Sequence, residues 1–285
     1  MILQKVIPWY LVYVIKFAAK ILLFLHICKY FLFFLHMSNK SSTFAADMYL
    51  FYAPEILGSA EEVGKRYCLD EEESGHCVRV LRYDRGDEIL LTNGQGMTYT
   101  GVITSLHPKH CEFEVVQATK QEKHHSNYIH IALAPTKNIE RIEWFVEKCT
   151  EIGVDEITPL LCRFSERKQV RIDRLQKIIL SAAKQSLTPY LPKLNELTDC
   201  REFIRSAKEE TRFIAHCYKE DKRELRKEIV PGKSVVVMIG PEGDFSEAEI
   251  AEALEQGFVP VSLGDSRLRT ETAGIMACTI CNLFS

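Results

Sequence analysis

Arg269 and Glu271 stand two residues apart in the run Leu263-Gly264-Asp265-Ser266-Arg267-Leu268-Arg269-Thr270-Glu271-Thr272-Ala273. A guanidinium can stabilise an anion that develops during a reaction, and a nearby carboxylate can accept a proton or orient the cation. The run starts where an apolar stretch stops at a glycine. The same form occurs upstream in Val235-Val236-Val237-Met238-Ile239-Gly240-Pro241-Glu242-Gly243. Glycines at 240, 243 and 264 permit backbone angles and approaches that a side chain would block, and Pro241 stiffens its loop. Two such turns close in sequence can set two loops of free peptide groups side by side, which suits a ligand read mainly by main chain. A phosphate loop would need glycines ending in Lys-Ser/Thr, and a dinucleotide loop Gly-x-Gly-x-x-Gly; neither is present. The plain structural alternative is a pair of ordinary strand-to-helix turns.

The flanking elements follow from local chemistry. Ser234 to Ile239 is short, β-branched and unbroken, as expected for a strand buried on both faces of a parallel sheet. Ser246 and Glu249 form a capping-box pattern, with Phe245 and Ile250 at the staple positions. The helix they open should run to about Leu254 and stop at Gly257. Val259 to Leu263 reads as the next strand. Thr270 is the expected N-cap of a last helix, with Glu271 at its positive end. Upstream, Tyr128 to Ala134, Glu156 to Leu161 and Arg212 to Cys217 read as strands. Helices are marked by Ile139, Ile142, Phe145, Val146, Cys149 and Ile152, and by Ile172, Leu175, Ile178, Ile179, Ala182 and Ala183. A charged helix is expected around Lys222 to Glu228. This alternation predicts an α/β domain with a mostly parallel sheet and helices on both faces.

From Met48 to about Gln117 the pattern is mostly β. Tyr49 to Ala53 and Cys111 to Val116 read as strands. Glu88 to Thr92 and Met97 to Thr104 flank Asn93-Gly94-Gln95-Gly96, a hairpin signal. Short strands with few helices predict a small barrel. Thr119 to Asn127 is polar and aperiodic, a linker. The expected organisation is thus an extension at 1–47, a β domain at 48–118, a linker at 119–127 and an α/β domain at 128–285.

The two glycine loops resemble motifs of the SPOUT class of S-adenosylmethionine methyltransferases, and within it the ribosomal RNA small-subunit methyltransferase E group. The resemblance is carried by Ile239 to Ser246, by Leu263-Gly264 and by Arg267 to Ala273. Glu143 to Gly153, Pro159-Leu160, Ala182 to Ser186, His76, Val78 to Arg82 and Gly86 to Ile89 agree with it. It covers roughly Met48 to the C-terminus. Asp244 stands where the family usually has a second glycine, Asp265 where it often has a proline, and Tyr49-Leu50 where it often has a basic residue.

The resemblance implies a PUA-like RNA-binding β-barrel before a SPOUT domain with a deep trefoil knot, and a homodimer with the cofactor site at its interface. It implies methylation at N3 of a uridine in 16S rRNA of the small ribosomal subunit, near the decoding centre. Neutral uracil N3 carries a proton and is a poor nucleophile, so the enzyme must favour loss of that proton and align N3 with the methyl group. Arg269 is the expected cation for the uracil anion; a salt bridge to Glu271 or Glu242 is its alternative role. Glu271, at the positive end of a helix, is favoured in its ionised form and makes a weak base; it could orient Arg269 or the loop. Ile239, Gly240, Pro241, Glu242, Gly243, Leu263, Gly264, Leu268, Thr270, Thr272 and Ala273 are the expected S-adenosylmethionine cradle. His76, Arg79 and Arg82 in front, and Arg163, Arg167, Lys184 and Gln185 behind, are expected RNA contacts, with solvated charged faces as the alternative. Two other readings stay open: a SPOUT methyltransferase acting on another RNA, and a noncatalytic RNA-binding assembly factor.

Composition narrows the field. The 285 residues carry a formal net charge of -3, so an RNA surface must be a local patch. Ten cysteines are scattered, and the one close pair, Cys278-x-x-Cys281, lies in an apolar helix. Buried reduced thiols in a cytoplasmic protein, with no metal, are the expectation. His124-His125 reads as solvated linker. Trp9 to Phe34 is apolar but broken by Lys16, Lys20 and Lys29, a poor membrane span and a poor secretory signal. Residues 1–47 are expected to be an extension ahead of a start at Met48, with a membrane-surface anchor as the alternative. Mass spectrometry of the native N-terminus separates the two.

Overall fold

Along β12 (Ser234–Ile239), Val235, Val237 and Ile239 are buried on one face and Val236 and Met238 on the other. That is what an unbroken apolar run requires of a central parallel strand. The computed structural model describes residues 49–57, 60–218 and 222–285, and Tyr49–Ser285 form one unit. The expected extension at 1–47 lies outside the described residues. No helix among the described residues is long and apolar enough to cross a membrane.

The front of the chain holds β1 (Leu50–Tyr52), β2 (Arg66–Cys68), α1 (Glu71–Gly75), a π-helical turn (His76–Leu81), β3 (Glu88–Thr92), β4 (Met97–Ser105) and β5 (Glu112–Lys120). They make a five-stranded sheet in the order β1-β3-β4-β5-β2 over a core that includes Phe51, Tyr99 and Phe113. The expected barrel is not closed by strand pairing, since β1 and β2 lie at opposite ends of that order. β5 is also longer than its apolar stretch, because β4 pairs with it as far as Lys120, inside the expected linker. Cross-strand pairing there outweighs weak local propensity.

The rest builds an eight-stranded sheet. Its strands are β6 (Tyr128–Leu133), β7 (Glu156–Leu161), β8 (Lys193–Leu194), β9 (Thr198–Asp199), β10 (Thr211–Ala215), β11 (Arg223–Glu224), β12 and β13 (Val259–Ser262). The order is β11-β13-β10-β12-β6-β7-β8, with β9 also on β7, and every pair is parallel. The helices are α2 (Ile139–Ile152), α3 (Ile172–Gln185), α4 (Cys200–Ser206), α5 (Leu225–Glu228), α6 (Glu247–Glu255) and α7 (Thr270–Leu283). Residues of α2, α3 and α7 share one core, and residues of α4 and α6 share the core on the other face. The capping box at Ser246 and Glu249 forms as expected, and Gly257 follows the end of α6 at φ +83°.

Three elements differ from expectation. The helix expected at 222–228 is shorter, because Arg223 and Glu224 pair with the edge of β13 before α5 starts. α4, capped by Asp199, has too few apolar residues for its period to stand out. Thr270 is the first residue of α7 rather than its cap; Arg269, with extended backbone, takes the cap position without a side-chain hydrogen bond.

The two sheets are joined by a contact that the hairpin signal did not foretell. The β3–β4 turn accepts Leu191 N–H at Gly94 O (2.9 Å) and donates Gly96 N–H to Pro189 O (2.9 Å). A side chain at Gly96, which sits at φ +90°, would lie 2.3 Å from the Tyr190 ring. The glycine makes the turn and also admits the neighbouring sheet's loop.

Candidate active site

β10 lies between β12 and β13, so the segments leaving these three parallel strands emerge side by side. They enclose a cavity of about 700 Å³. Ligands of open parallel sheets bind at these strand ends. Of the expected cradle, Ile239, Gly240, Pro241, Glu242, Leu263, Gly264, Leu268, Thr270 and Ala273 line it, as do Arg269 and Glu271. Gly243 and Thr272 do not.

The first loop is held by its own side chains. Glu242 Oε1 accepts the Lys137 N–H (2.9 Å), tying the loop to the start of α2. Asp244 has φ +66°, the left-handed region that a glycine would fill more easily. Aspartate tolerates it better than most residues because its short carboxylate bonds locally. Here Oδ1 accepts the Phe245 N–H (2.8 Å) and Oδ2 accepts the Cys217 N–H (2.6 Å). Gly243 is small for a different reason from ligand approach: a Cβ there would stand 3.0 Å from Cβ of Phe164. Gly240 is likewise tight against the backbone of Phe245, at 3.1 Å. A Cβ at Gly264 would meet no atom of the described residues within 4 Å, although its φ of +129° keeps the position for glycine.

In the second loop Glu271 is 5% exposed, and its Oε1 lies 3.7 Å from Nε of Arg141, in the first turn of α2. Its Oε2 is buried without a hydrogen-bond partner among the described residues. Glu271 therefore pairs with Arg141 and does not take the pairing with Arg269, one of the two roles expected for it beside orienting the loop. Arg269 is exposed on the cavity wall and pairs with neither Glu271 nor Glu242. Arg141, Ala215, His216, Cys217 and Lys222 also line the cavity and were missed. Their signal is the strand order, which places β10 between the two motif strands and β6 beside β12; no local spacing carries it.

The expected RNA contacts fall into free and engaged groups. Arg79, Arg82, Arg163 and Gln185 are exposed. His76 stacks on Tyr49, with ring centroids 4.4 Å apart. Lys184 is engaged: its ammonium pairs with the buried Glu73 and lies 5.8 Å from the Tyr49 ring, tying α3 to α1 and β1. The charge pair and hydrogen bond to Glu73 outweigh burial and raise the Lys184 pKa. Arg167 donates to Thr136 O (3.0 Å) and Lys137 O (2.5 Å), bracing the loop before α2.

Cys162, Cys200 and Glu249 offer ligand atoms within 4.8 Å of one another, all buried. Glu249 is committed to α6: it accepts the Ser246 N–H and O–H at Oε2 (both 2.7 Å) and the Arg163 N–H at Oε1 (2.8 Å). Cys278 and Cys281 are buried thiols, and burial pushes the Cys281 thiol up.

Residues 122–282 match a family described as RNA methyltransferase domain, and residues 69–116 one described as RNA methyltransferase PUA domain. The chain is 24% identical over 240 residues to ribosomal RNA small subunit methyltransferase E of Bacillus subtilis (strain 168), covering 79% of this chain and 93% of that protein. Its fold is similar to the crystal structure of a probable rRNA-methyltransferase from Porphyromonas gingivalis (TM-score 0.75, 40% identity, 81% of this chain and 95% of that one). It is also similar to a ribosomal RNA small subunit methyltransferase E from Neisseria gonorrhoeae bound to S-adenosyl methionine (TM-score 0.70, 30% identity, 81% and 95%).

Proposed function

The chain belongs to the RNA methyltransferase family, and on that premise we propose that it methylates N3 of a uridine in 16S rRNA of the small ribosomal subunit, near the decoding centre, using S-adenosylmethionine. The observation that carries the reading is a cavity shared by both glycine loops, with Arg141, Arg269 and Glu271 in its wall. The residues fit the cofactor. About 700 Å³ lies in the range of small-molecule sites. The apolar side chains of Ile239, Leu263 and Leu268 give an adenine its surface, and the peptide groups beside Gly240 and Gly264 can read its polar edge.

S-adenosylmethionine, when bound, supplies an electrophilic methyl group on a sulfonium. The protein must hold uracil N3 in line with that methyl and stabilise the charge left when N3 loses its proton. Arg269, exposed on the wall, serves as the cation for the uracil anion. Glu271, buried at the start of α7, holds Arg141 from α2 and so joins the two helices at the cavity. Positioning in such sites can supply about 7–11 kcal/mol of the barrier. Arg79, Arg82 and Arg163 are free to meet RNA phosphates, whereas Lys184 and Arg167 act by keeping the two domains and the α2 loop in place.

The same reading includes the trefoil knot and the homodimer, and assigns residues 48–118 to the PUA-like domain, 119–127 to the linker and 128–285 to the SPOUT domain. In support of the knot, α7 leaves β13 yet packs on β6, β12 and α2, passing back across the sheet order. In support of the dimer, Trp144 on α2 and Met276 and Leu283 on α7 are exposed large apolar residues on packed helices.

The test is methyl transfer from labelled S-adenosylmethionine to small subunits and to naked 16S rRNA, with the product nucleoside identified by mass spectrometry. N3-methyluridine, missing from a deletion strain, is the expected product. A different methylated nucleoside refutes the specificity. No transfer, with RNA binding intact, favours the assembly factor.

A further inference from the structure

We propose that Lys222 receives the carboxylate end of the cofactor. The inference rests on the S-adenosylmethionine reading above and concerns a wall of the cavity that lies in neither glycine motif. That wall is made by Ala215, His216, Cys217 and Lys222, from the end of β10 and from the residue just ahead of β11. It is a built feature. Asp244 Oδ2 accepts the Cys217 N–H (2.6 Å), and the Tyr218 O–H donates to Phe245 O (3.2 Å). The Lys222 ammonium donates to His216 O (2.5 Å) and Tyr218 O (2.6 Å).

Both of those partners are uncharged carbonyls, so they fix the ammonium at the cavity without neutralising it. An ammonium carries three N–H donors. Two point at the carbonyls, and the third has no partner among the described residues. The other cations of the cavity differ. Arg141 is paired with Glu271, and Arg267 and Arg269 are exposed. Lys222 is half-buried; its backbone lies just ahead of β11, and its ammonium sits at the exit of β10. Arg141 enters from the β6 side, beyond β12. Along the strand order β12 lies between the two cations.

S-adenosylmethionine ends in an amino-acid group with a carboxylate, and taking that carboxylate into a protein wall is costly unless it is paired. A charge-assisted N–H···O⁻ bond from Lys222 supplies the partner. The division of labour follows: Lys222 holds the cofactor's tail at the β10 exit, while Arg141, Glu271 and Arg269 orient the nucleotide.

Calorimetry with two ligands tests this. The wild-type protein and Lys222→Met are titrated with S-adenosylmethionine and with its decarboxylated form. The wild type should prefer the carboxylate-bearing ligand on the order of tenfold to a hundredfold. Lys222→Met should lose that preference and bind decarboxylated S-adenosylmethionine as the wild type does. Lys222→Gln, whose amide can still donate to one of the carbonyls, should behave alike and serves if the methionine variant does not fold. An equal loss for both ligands would show that Lys222 only braces its loop, and an unchanged preference would remove it from the site; either overturns the proposal. A wild type that binds S-adenosylmethionine not at all refutes the cofactor reading itself.

Discussion

Arg269 and Glu271 are two residues apart, yet the first is exposed on the cavity wall and the second is buried against Arg141. Their substitutions should therefore separate. Arg269→Ala should lower single-turnover methyl transfer on the order of 100-fold to 1,000-fold, the cost of a lost anion-stabilising donor, while S-adenosylmethionine affinity by calorimetry stays nearly unchanged. Equal losses in both would remove Arg269 from the chemistry. Glu156 shows residue-level control of stability, far from the cavity. Burial pushes its pKa up, but hydrogen bonds from Asn195, Lys193 and Tyr128 outweigh burial and hold it at about 2, below the ordinary 4.5. Glu209 is likewise lowered: burial opposes the shift, and the hydrogen bond to His130 Nδ1 (2.5 Å) outweighs it. A depressed carboxylate stabilises the fold fully above its unfolded pKa and loses that contribution as pH falls through the folded value. Urea midpoints should thus drop between about pH 4.5 and pH 2, and Glu156→Gln should flatten that drop while lowering the midpoint at pH 7. An unchanged acid slope in the variant would contradict the pairing.

At the scale of elements, two glycines act by fit. A Cβ at Gly274 would lie 2.5 Å from side-chain atoms of both Leu133 of β6 and Phe145 of α2, so a larger residue there must displace one of them or shift α7. Replacing a helical glycine by alanine gains about 1 kcal/mol of propensity, but overpacking costs about 1–3 kcal/mol. The second term should win, with a lower Tm for Gly274→Ala and a larger fall for Gly274→Val, read by calorimetric scanning. A Tm at or above wild type would show that the seat can relax. Gly96→Ala should instead undock the β3–β4 turn from Pro189 and Tyr190, because the added carbon meets the Tyr190 ring. The expected result is faster limited proteolysis near residues 119–127 and weaker RNA binding, with S-adenosylmethionine affinity retained.

For the whole molecule, the proposed homodimer places exposed Trp144, Met276 and Leu283 against a second copy. Light scattering should give twice the chain mass for the wild type and one chain mass for Trp144→Glu with Met276→Glu. A monomeric wild type that still transfers methyl groups would refute the dimer. The two sheets work as one body through the docked turn and through Lys184 with Glu73, two contacts distant in sequence. That coupling lets exposed arginines on the front domain be placed relative to the cavity.

Residue order alone determined the parts governed by local rules. Apolar runs, a capping box and glycine stops located β12, α6, β13 and α7, and those loops carried the family resemblance. Most of the cavity-lining residues of the two motif loops could be named because a strand end followed by glycine exposes backbone wherever the strand lies in its sheet. Tertiary structure decided what depends on which strands are neighbours. Only the order β13-β10-β12-β6 brings Lys222 and Arg141 to the cavity, turns Glu271 toward Arg141, and gives Asp244 a partner in Cys217. It also gives Lys184 and Arg167 internal partners. A charged side chain reads the same in sequence whether it faces solvent or a buried carboxylate, and its partner is chosen by packing across many residues rather than by spacing along the chain.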